Sequence, residues 1–464
     1  MTTTAVVLFT RDLRVHDHPA LHAACRRADR VVPLFVLDTA ILGSRYAAPN
    51  RVAGLLECLR DLRGACKDRG GELVVRHGTL LDEVRDVCQE VGADELHLSA
   101  DWSGFARRRQ AALEDLGREL EVTVTAHPGV VAVAPGDVAA QGKDHMRVFT
   151  PYWRRWVAAE HRDPVPAPDR IPTPSSLATG TIPARTSLVD GEEAPDRLIC
   201  GEVAARARLD AWLDGPISDY DEGRNDLAED RTSKLSHHLH FGALSVAEVV
   251  SRVASSSGRG LEIDRRRAGH EAFLQELCWR DFNHQLLGAM PDLPRADIRG
   301  QGDRWQDDDD AIAAWKDGRT GYPVVDAGMR QLQREGWMHN RARMVTASFL
   351  TKHLRVDWRV GAWHFMDHLV DGDLANNFGQ WQWTAGTGTD SRPNRMFNPV
   401  TQGERYDPTG AYVRRYVPEL VDAADADLQA PWEADGSLFA TTDYPPPIVD
   451  HREARERFLT DRGA

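Results

Sequence analysis

Five short apolar runs recur through the first part of the chain, and they constrain its fold more than any other feature. The runs are AVVLF, VVPLFVL, ELVVRHG, ELHLSA and VTVTA, between residue 4 and about residue 127. Between them, stretches such as 51–69 and 103–120 have the apolar spacing of helices. Short buried strands that alternate with helices are typical of a parallel sheet covered on both faces. We therefore predict a doubly wound α/β domain over residues 1–130, without the GxGxxG or GxxxxGK[ST] motifs of standard nucleotide sites.

A proline-rich stretch interrupts this pattern. Residues 161–200 include RDPVPAPDRIPTP, which is too rich in Pro for a helix or an inner strand. We therefore predict an interdomain linker over residues 131–200. Beyond it the strand signals fade, and helical patterns such as GHEAFLQELCWRDFNHQLL dominate. The sequence thus predicts an all-α second domain over residues 201–464, with the acidic run at 307–310 at the start of a helix.

The charge of the chain bears on its possible partners. The net charge of −14 argues mildly against binding of nucleic acid. Phosphate binding is nevertheless a local property of a surface. Residues 391–416 carry five Arg against one Glu and one Asp. This segment could form a basic patch on an acidic protein, or its Arg side chains could make internal ion pairs, and the sequence leaves both open.

Cysteine usage and hydropathy indicate a cellular compartment. The six Cys are scattered and form no CxxC, which argues against a zinc ribbon, an iron–sulfur cluster or a disulfide framework. Reduced thiols are typical of cytosolic proteins. The N-terminus has neither a basic start nor a cleavage site, and no apolar run is long enough to cross a bilayer. We therefore expect a cytoplasmic protein that does not contact a membrane.

The segment RTSKLSHHLHFG, residues 231–242, has the residue types of a phosphate-binding loop. Hydroxyl groups of Thr232, Ser233 and Ser236, with backbone N–H groups at a helix start, could hold a phosphate, and Lys234 adds positive charge. An ordinary capped helix explains the same residues. The three His of the segment cannot all face one ion from a helix, so we predict no metal site.

Two helical motifs combine charged, amide and aromatic side chains. In ELCWRDF, Glu276 and Arg280 lie on one helical face beside Trp279. This is either a salt bridge next to a core Trp or a platform that could stack a nucleobase. In GWMHNRARM, residues 336–344, the pattern fits an amphipathic helix with a satisfied amide or a polar site, and Arg343 could pair with Asp371 or Asp373.

The segment DGDLANNFGQWQWTAGTGTD, residues 371–390, combines two acids, two Asn and two Trp. A hydrophobic core favours the indoles, and a solvated loop favours the acids. A site that binds a flat polar cofactor and a flat polar substrate accommodates both. The indoles of this segment, with Trp305 and Trp358, are either core packing or an oxidisable chain that relays electrons.

Taken together, these motifs resemble those of the DNA photolyase/cryptochrome family, and most closely those of class I cyclobutane pyrimidine dimer (CPD) photolyases. The resemblance begins at LFTRDLRVHDHPAL, continues through the segments above and ends at FNPVTQGERYDP and DYPPPIVDHREAR. It implies a light-dependent carbon–carbon lyase that repairs DNA. In such enzymes excited, reduced, non-covalently bound FAD gives an electron to a flipped-out pyrimidine dimer.

Other functions remain open alongside this one. A cryptochrome-type signalling flavoprotein shares the fold and the FAD, but often has an additional tail. A (6-4) photolyase tends to have His where Asn340 stands, and its bacterial branch carries four cluster-binding Cys in the helical domain. A non-catalytic nucleotide-binding or scaffold protein is a third alternative, and it would not be yellow when purified.

The resemblance assigns residues to the FAD, to an electron relay and to the lesion. The diphosphate region of FAD is assigned to Tyr220, Thr232, Ser233, Lys234, Leu235 and Ser236. The ribose and isoalloxazine side is assigned to Arg343, Asp371, Gly372, Asp373 and Asn377, with Arg343 paired to Asp371 and Asn377 at flavin N5. The relay is assigned to Trp381, Trp358 and Trp305. The lesion-binding positions are Glu276, Trp279, Arg280, Asn340, Arg341, Met344, Trp383 and Gln402, and Arg224 matches a phosphate contact.

The resemblance also implies a second, light-harvesting chromophore. The antenna positions are Phe35, Asp38, Arg51, Asp101 and His240, and they favour 8-hydroxy-5-deazaflavin over 5,10-methenyltetrahydrofolate. Two residues depart from the family pattern: His18 stands where Asn is usual, and His237 stands where Pro is usual. We expect a monomer whose partner is damaged DNA and which holds no metal.

Overall fold

The computed structural model describes residues 2–139, 145–257, 268–433 and 443–463. The chain divides into two compact units. The first unit comprises Met1–Glu192, Ile199–Asp219 and Ser233–Pro291, and the second comprises Glu193–Leu198, Tyr220–Thr232 and Asp292–Ala464. Residues 201–219 and 233–291, which the sequence assigns to the helical domain, thus belong to the unit that contains the sheet. The predicted domain ranges of 1–130, 131–200 and 201–464 therefore stay a prediction.

A five-stranded parallel sheet forms the centre of the first unit. The strands are β1 (Thr4–Phe9), β2 (Arg30–Asp38), β3 (Val74–Gly78), β4 (Glu95–Ser99) and β5 (Thr123–His127). Their order is β3-β2-β1-β4-β5, and every neighbouring pair is parallel. The residues of β1 are buried throughout, because helices cover the sheet and leave no polar face. The doubly wound α/β fold expected from the sequence is confirmed.

Helices complete the first unit. They are α1 (Pro19–Arg27), α2 (Thr39–Leu42), α3 (Pro49–Lys67), α4 (Leu80–Val91), α5 (Gly104–Leu120), α6 (Pro135–Val138), α7 (Phe149–Ala158), α8 (Glu202–Leu213), α10 (Ser236–Phe241), α11 (Val246–Ser257) and α12 (Ala268–Ala289). Residues 161–200, all of which the structure describes, contain one turn of 3-10 helix at Arg185–Ser187 and no strand. The Pro-rich part of the predicted linker is therefore irregular, whereas its first part, 131–160, contains α6 and α7.

The second unit is built from helices. They are α9 (Tyr220–Gly223), α13 (Asp309–Lys316), α14 (Pro323–Glu335), α15 (Asn340–Ser348), α16 (Trp358–His368), α17 (Leu374–Ala385), α18 (Pro399–Tyr406), α19 (Ala411–Tyr416) and α20 (His451–Asp461), with a turn of π-helix at Phe349–His353. As the sequence predicts, the acidic run begins a helix, because Asp308 caps α13 by accepting a hydrogen bond from the Ala311 N–H. Within the described ranges, no helix combines the length and apolarity that a bilayer-spanning segment needs.

Candidate functional site

Arg343 and Asp371 form the ion pair expected from the sequence. Arg343 Nη2 lies 2.8 Å from Asp371 Oδ2, and Arg343 Nε donates to the carbonyl of Met338 at 2.8 Å. The Asp371 side chain is 2% exposed, and its Oδ1 is buried with no hydrogen-bond partner among the described residues. A buried carboxylate oxygen without a donor is costly in a folded protein. Asp371 is therefore arranged to accept a hydrogen bond from a bound group.

The residues after Asp371 are held by the start of α17. Asp373 caps this helix, since its Oδ1 accepts from the N–H and the side-chain amide of Asn376, both at 2.8 Å. Asn377 donates from Nδ2 to the carbonyl of Ala362 at 2.9 Å. This bond fixes the orientation of the amide, and within the described residues Asn377 Oδ1 accepts no hydrogen bond. The acceptor oxygens of Asp371 and Asn377 fit a flat ligand with N–H groups, as an isoalloxazine has.

The three Trp of the predicted relay differ in burial. Trp358 and Trp381 are buried, whereas Trp305 is half-buried. The tip of Trp381 packs against Gly361, where any Cβ would lie 2.2 Å from the indole. Trp358 donates from Nε1 to Asp297 at 2.9 Å. Burial thus decreases from Trp381 and Trp358 to Trp305, as an electron path towards solvent requires, and the relay itself stays a prediction.

Two arginines hold the backbone around Trp305. The Gln306 N–H donates to the carbonyl of Arg355 at 2.7 Å, and Arg355 Nη2 donates to the carbonyl of Arg304 at 3.1 Å. Arg462 binds Asp303 through two bonds of 2.8 and 2.6 Å. The segment that carries Trp305 is therefore fixed on both sides of the indole.

In the first unit, the predicted lesion platform Trp279 lies on α12. Its indole is stacked on the ring of Phe149, with 3.7 Å between the centroids. Arg280 donates to the carbonyl of Val130 at 2.6 Å and lies 3.5 Å from Asp281. Burial raises the pKa of Asp281 to about 6, although Arg280 opposes this shift. Arg280 thus binds a carbonyl and a carboxylate of the first unit.

In the second unit, the predicted lesion position Arg341 contacts amide and aromatic side chains. Its Nε and Nη2 donate to Asn225 Oδ1 at 3.1 and 2.6 Å, and its Nη1 lies 3.5 Å from Gln402 Oε1. The guanidinium lies 4.4 Å from the ring centroid of Tyr406. Burial lowers the pKa of Arg341, and so do neighbouring cations, which are Arg224, Arg405 and Arg395. Such clustering of positive charge is typical of a phosphate-binding surface.

The other lesion positions of the second unit are on α15 and α17. Asn340 is exposed at the first position of α15, and Met344 is half-buried one turn later. Trp383 is half-buried, and the Arg395 guanidinium lies 4.7 Å from its ring centroid. Arg395 also pairs with Asp390 at 3.1 Å. Arg395, one of the five Arg of residues 391–416, thus makes an internal ion pair and also lies over the ring of the predicted DNA contact Trp383.

The predicted diphosphate loop adopts an unusual backbone at Lys234, whose φ is +50°. Helix α10 begins at Ser236, and Leu235, in the cap position, makes no side-chain cap bond. Thr232 donates from Oγ1 to Asp230 at 2.7 Å. His237, the residue that replaces the usual Pro, lies within α10 with its Nε2 3.1 Å from the carbonyl of Ile199. The His237 departure is therefore accommodated without loss of the helix start at Ser236.

The antenna positions lie in the first unit, near the carboxyl ends of the strands. Asp101 follows β4, and its carboxylate is 3.6 Å from Arg11, which follows β1. Arg11 Nε donates to the carbonyl of His240 at 3.3 Å. The sheet order reverses between β1 and β4, and ligands of doubly wound sheets bind at such a point. The structure thus brings Asp101 and His240 together through Arg11.

The remaining antenna positions have structural roles of their own. Phe35 is buried in β2. Asp38 caps α2 by accepting from the Ala40 N–H, and Arg51 donates twice to the carbonyl of Tyr46 at 3.2 and 2.7 Å. Arg51 therefore helps to hold the backbone at Tyr46, before α3 begins. Burial raises the pKa of Asp101, but the neighbouring side chains of Arg11, His284 and Arg109 lower it. Together these lowering effects are the larger, so the pKa lies below its usual value.

The second family departure, His18, replaces Asn as a helix cap. His18 Nδ1 accepts from the Leu21 N–H at 3.0 Å, which begins α1. Its Nε2 lies 3.1 Å from Asp12 Oδ2. Burial raises the pKa of Asp12, but the adjacent His18 and the hydrogen bond from the Thr10 N–H lower it to about 2. The imidazole thus performs the capping that an Asn side chain performs.

Several residues of these sites are missing from the sequence-based assignments. They are Arg11, Arg109, Phe149, Asn225, Arg395 and Tyr406. Arg395 lies in the basic segment 391–416, and Arg11 lies in the LFTRDLR motif, so local sequence patterns mark the positions of both. Phe149 and Asn225 contact residues more than 100 positions away, and no local pattern marks them. In the part of the chain that the structure describes, no group of three or more His, Cys, Asp or Glu is arranged around a possible metal ion.

Comparisons with known proteins show the family of the chain. The family model described as the FAD binding domain of DNA photolyase matches residues 273–463, and the DNA photolyase model matches residues 5–169. The chain is 50% identical over 467 residues to a deoxyribodipyrimidine photo-lyase of Streptomyces griseus, with 99% of each chain covered. A bacterial class III photolyase from Agrobacterium tumefaciens has a TM-score of 0.92 at 34% identity, covering 100% of this chain and 98% of the other. A cryptochrome from Synechocystis sp. PCC6803 has a TM-score of 0.90 at 27% identity, with 99% of each chain covered. The chain therefore belongs to the DNA photolyase family.

Proposed function

We propose that this protein is a deoxyribodipyrimidine photo-lyase, which uses light and reduced, non-covalently bound FAD to split cyclobutane pyrimidine dimers in DNA. The observation that carries the proposal is the 50% identity to the Streptomyces griseus deoxyribodipyrimidine photo-lyase along nearly the whole of both chains. The cryptochrome is only 27% identical, so the comparison of sequences favours repair over signalling. The class I subdivision stays a prediction, because the similar Agrobacterium structure is of class III.

The residues around Asp371 fit a flavin. Asp371 Oδ1 and Asn377 Oδ1 are acceptors with no donor within the described residues, and both lie in the range of the FAD-binding family model. Arg343 would hold the Asp371 carboxylate in place, and Ala362 would hold the Asn377 amide with its oxygen towards the ligand. When bound, FAD would supply the light-driven electron transfer that opens the cyclobutane ring.

The remaining assigned residues would bind and orient the lesion. A flipped dinucleotide loses its stacking at a cost of a few kcal/mol. Trp279 and Trp383 would offset this cost, because stacking on an aromatic side chain contributes about 1–3 kcal/mol per base. Arg224 and Arg341 would bind phosphate, while Arg280, Asn340, Met344 and Gln402 would line the pyrimidines.

Glu276 would act directly on the dimer. In its protonated form the carboxyl group can donate a hydrogen bond to a pyrimidine carbonyl oxygen as negative charge develops there. Glu276→Gln keeps a donor at this position, and Glu276→Ala removes it. We expect Gln to retain more repair than Ala. Equal repair by the wild type and the Ala variant would contradict the role.

The choice of lesion tests the proposal. Flavin-loaded, reduced protein is mixed with duplexes that carry either one thymine dimer or one (6-4) photoproduct, and both are illuminated with near-ultraviolet and blue light. We expect loss of the thymine dimer and persistence of the (6-4) photoproduct, since Asn340 stands where (6-4) enzymes tend to have His. Repair of the (6-4) photoproduct alone would contradict the assignment. Light-induced flavin reduction without repair of either lesion would favour a signalling protein.

We propose 8-hydroxy-5-deazaflavin as the antenna chromophore, bound at Phe35, Asp38, Arg51, Asp101 and His240. The support is the group of charged side chains beside the carboxyl ends of β1 and β4, where Arg11 could donate to oxygens of the chromophore and Asp101 could accept from its hydroxyl groups. Reconstitution with the deazaflavin and with 5,10-methenyltetrahydrofolate decides between them. Tight uptake of the folate with none of the deazaflavin would contradict the proposal, and so would uptake of neither.

We also propose a cytoplasmic monomer whose partner is damaged DNA. The six cysteines, all within the described residues, form no disulfide, which fits a reducing compartment. Sedimentation of the protein with and without dimer-containing DNA tests the oligomeric state. A stable dimer at micromolar concentration would contradict it.

A further inference from the structure

Phe149 and Trp279 form a parallel stack in the first unit. Phe149 is the first residue of α7, and Trp279 lies near the middle of α12. Their ring centroids are 3.7 Å apart, and the angle between the ring planes is 3°. Both side chains are half-buried. One face of the Trp279 indole is therefore covered by a phenyl ring, while part of the indole still reaches solvent.

A second aromatic contact holds the indole at its edge. The ring of Phe282 is perpendicular to both stacked rings, with centroid distances of 5.9 Å to Phe149 and 5.3 Å to Trp279. Tyr152, one turn after Phe149, packs edge-on against Phe282 at 5.2 Å. Among the described residues, Trp279 has no other ring contact. One face and one edge of the indole are thus restrained, and the opposite face has no aromatic partner.

The two helices that carry the stack are tied together beside it. Asp281 on α12 accepts from the Trp156 indole N–H of α7 at 3.0 Å. The same oxygen accepts from the backbone N–H groups of Ala132 and Val133 at 2.9 and 3.1 Å. This buried carboxylate fixes α7 relative to α12. Phe149 is therefore presented to Trp279 by a rigid support rather than by a loop.

We propose that Phe149 is a positioning residue for recognition of damaged DNA: it holds the Trp279 indole in one orientation, so that a flipped pyrimidine stacks on the opposite face. The inference rests on the proposed function, since it assumes that Trp279 is a lesion platform. An indole on a protein surface samples several rotamers, and their loss on binding lowers the affinity. A stack formed before the DNA arrives removes this loss.

The test compares variants of Phe149 by their affinity for DNA in the dark, with flavin-loaded full-length protein. Phe149→Leu keeps apolar bulk but removes the flat face, and Phe149→Tyr keeps the ring. We expect Phe149→Leu to weaken binding of a duplex with one thymine dimer by about 3- to 10-fold, because a stacked aromatic pair contributes a free energy of about that size. Binding of undamaged duplex and the FAD content should not change, and Tyr should restore the wild-type affinity.

A double-mutant cycle separates positioning from general stability. If Phe149 acts through the indole, Phe149→Leu has no further effect on dimer binding in a Trp279→Ala background. A purely structural role would weaken binding by the same factor in both backgrounds. Phe105→Leu is the matched control, because Phe105 is an exposed phenyl ring of the same unit. This control should bind damaged DNA as the wild type does.

Three results would overturn the inference. The first is an unchanged affinity of Phe149→Leu for dimer-containing DNA, and the second is a loss of affinity on Phe149→Leu that persists in the Trp279→Ala background. The third is tighter binding by Phe149→Leu, which would mean that the phenyl ring occupies the place of the base. Failure of the proposed function has a different signature. In that case the wild type itself would not discriminate dimer-containing from undamaged DNA, and both proposals would fall together.

Discussion

Arg343 and Asp371 are joined by a 2.8 Å ion pair that uses only one oxygen of the carboxylate. The second oxygen, Oδ1, is buried and has no partner within the described residues. Burying a carboxylate is tolerable only when its charge is compensated, and Arg343 supplies that compensation. Asp371 Oδ1 is thus a buried acceptor that is available for a hydrogen bond from a bound ligand.

Asp371→Asn should weaken FAD binding. The substitution removes the negative charge and replaces one acceptor with a donor. We expect the affinity of the apoprotein for FAD to fall about 10-fold or more, since hydrogen bonds to charged groups contribute about 1.5–3 kcal/mol. Asp303→Asn is the matched control, because it also breaks a buried ion pair of the second unit. Equal losses of flavin affinity in both variants would mean that Asp371 acts only through stability.

Trp305→Phe should nearly abolish reduction of the oxidised flavin by light in the presence of an external reductant. Its half-buried indole is the outermost of the predicted relay, and phenylalanine is much harder to oxidise. Repair by chemically reduced protein should persist. Trp432→Phe provides a control, because Trp432 is a half-buried indole of the same unit outside the relay. Photoreduction at the wild-type rate in Trp305→Phe would remove the relay assignment.

Arg341→Ala should weaken binding of dimer-containing DNA and reduce its dependence on salt. Each phosphate contact contributes about 0.9 to the slope of log affinity against log salt. We therefore expect the slope to fall by about one unit. Arg334→Ala removes an exposed arginine that is paired with Asp196, and it should leave the slope unchanged. Weaker binding with an unaltered slope would indicate that Arg341 supports Asn225 and Tyr406 but does not touch phosphate.

Lys352 should make the stability of the protein depend on pH. Its Nζ donates to the carbonyls of Pro393 and Arg395 at 3.1 and 2.5 Å, and burial, with Arg462, lowers its pKa to about 7. In the unfolded chain the same amine is protonated up to about pH 10.4. Between these values the unfolded state binds more protons, so the free energy of unfolding rises as pH rises from about 7 to about 10.

Lys352→Met removes this titration. The difference in stability between wild type and variant should change by several kcal/mol between pH 7 and pH 10, in favour of the wild type at high pH, at about 1.4 kcal/mol per unit of pKa. Denaturant unfolding at a series of pH values measures it. A neutral amine still has two N–H groups for the two carbonyls, so the contacts survive deprotonation. Parallel stability curves for the two proteins would contradict the prediction.

Local patterns predict much of the first unit. Short apolar runs identify all five strands, and most clearly β1, whose residues are all buried because helices cover both faces of a parallel sheet. Helix α7 was placed in the linker, although Phe149, Tyr152, Trp153 and Trp156 have helical spacing.

The candidate site was predictable only where motifs are long. The pairing of Arg343 with Asp371 followed from the resemblance, and the geometry confirms it. The stack of Phe149 on Trp279 and the bonds of Arg462 to Asp303 join residues that are far apart in the sequence. Such contacts depend on how helices pack, and no spacing rule within one segment encodes them.

Conversion of a single thymine dimer in a duplex, measured in the light and in the dark, tests the central claim most directly. The protein is loaded with FAD, reduced chemically and incubated without oxygen. The account predicts that each protein molecule restores many dimers under blue light and none in the dark. Dimers that persist in the light, although reduced FAD is bound and the duplex is saturated with protein, would contradict it.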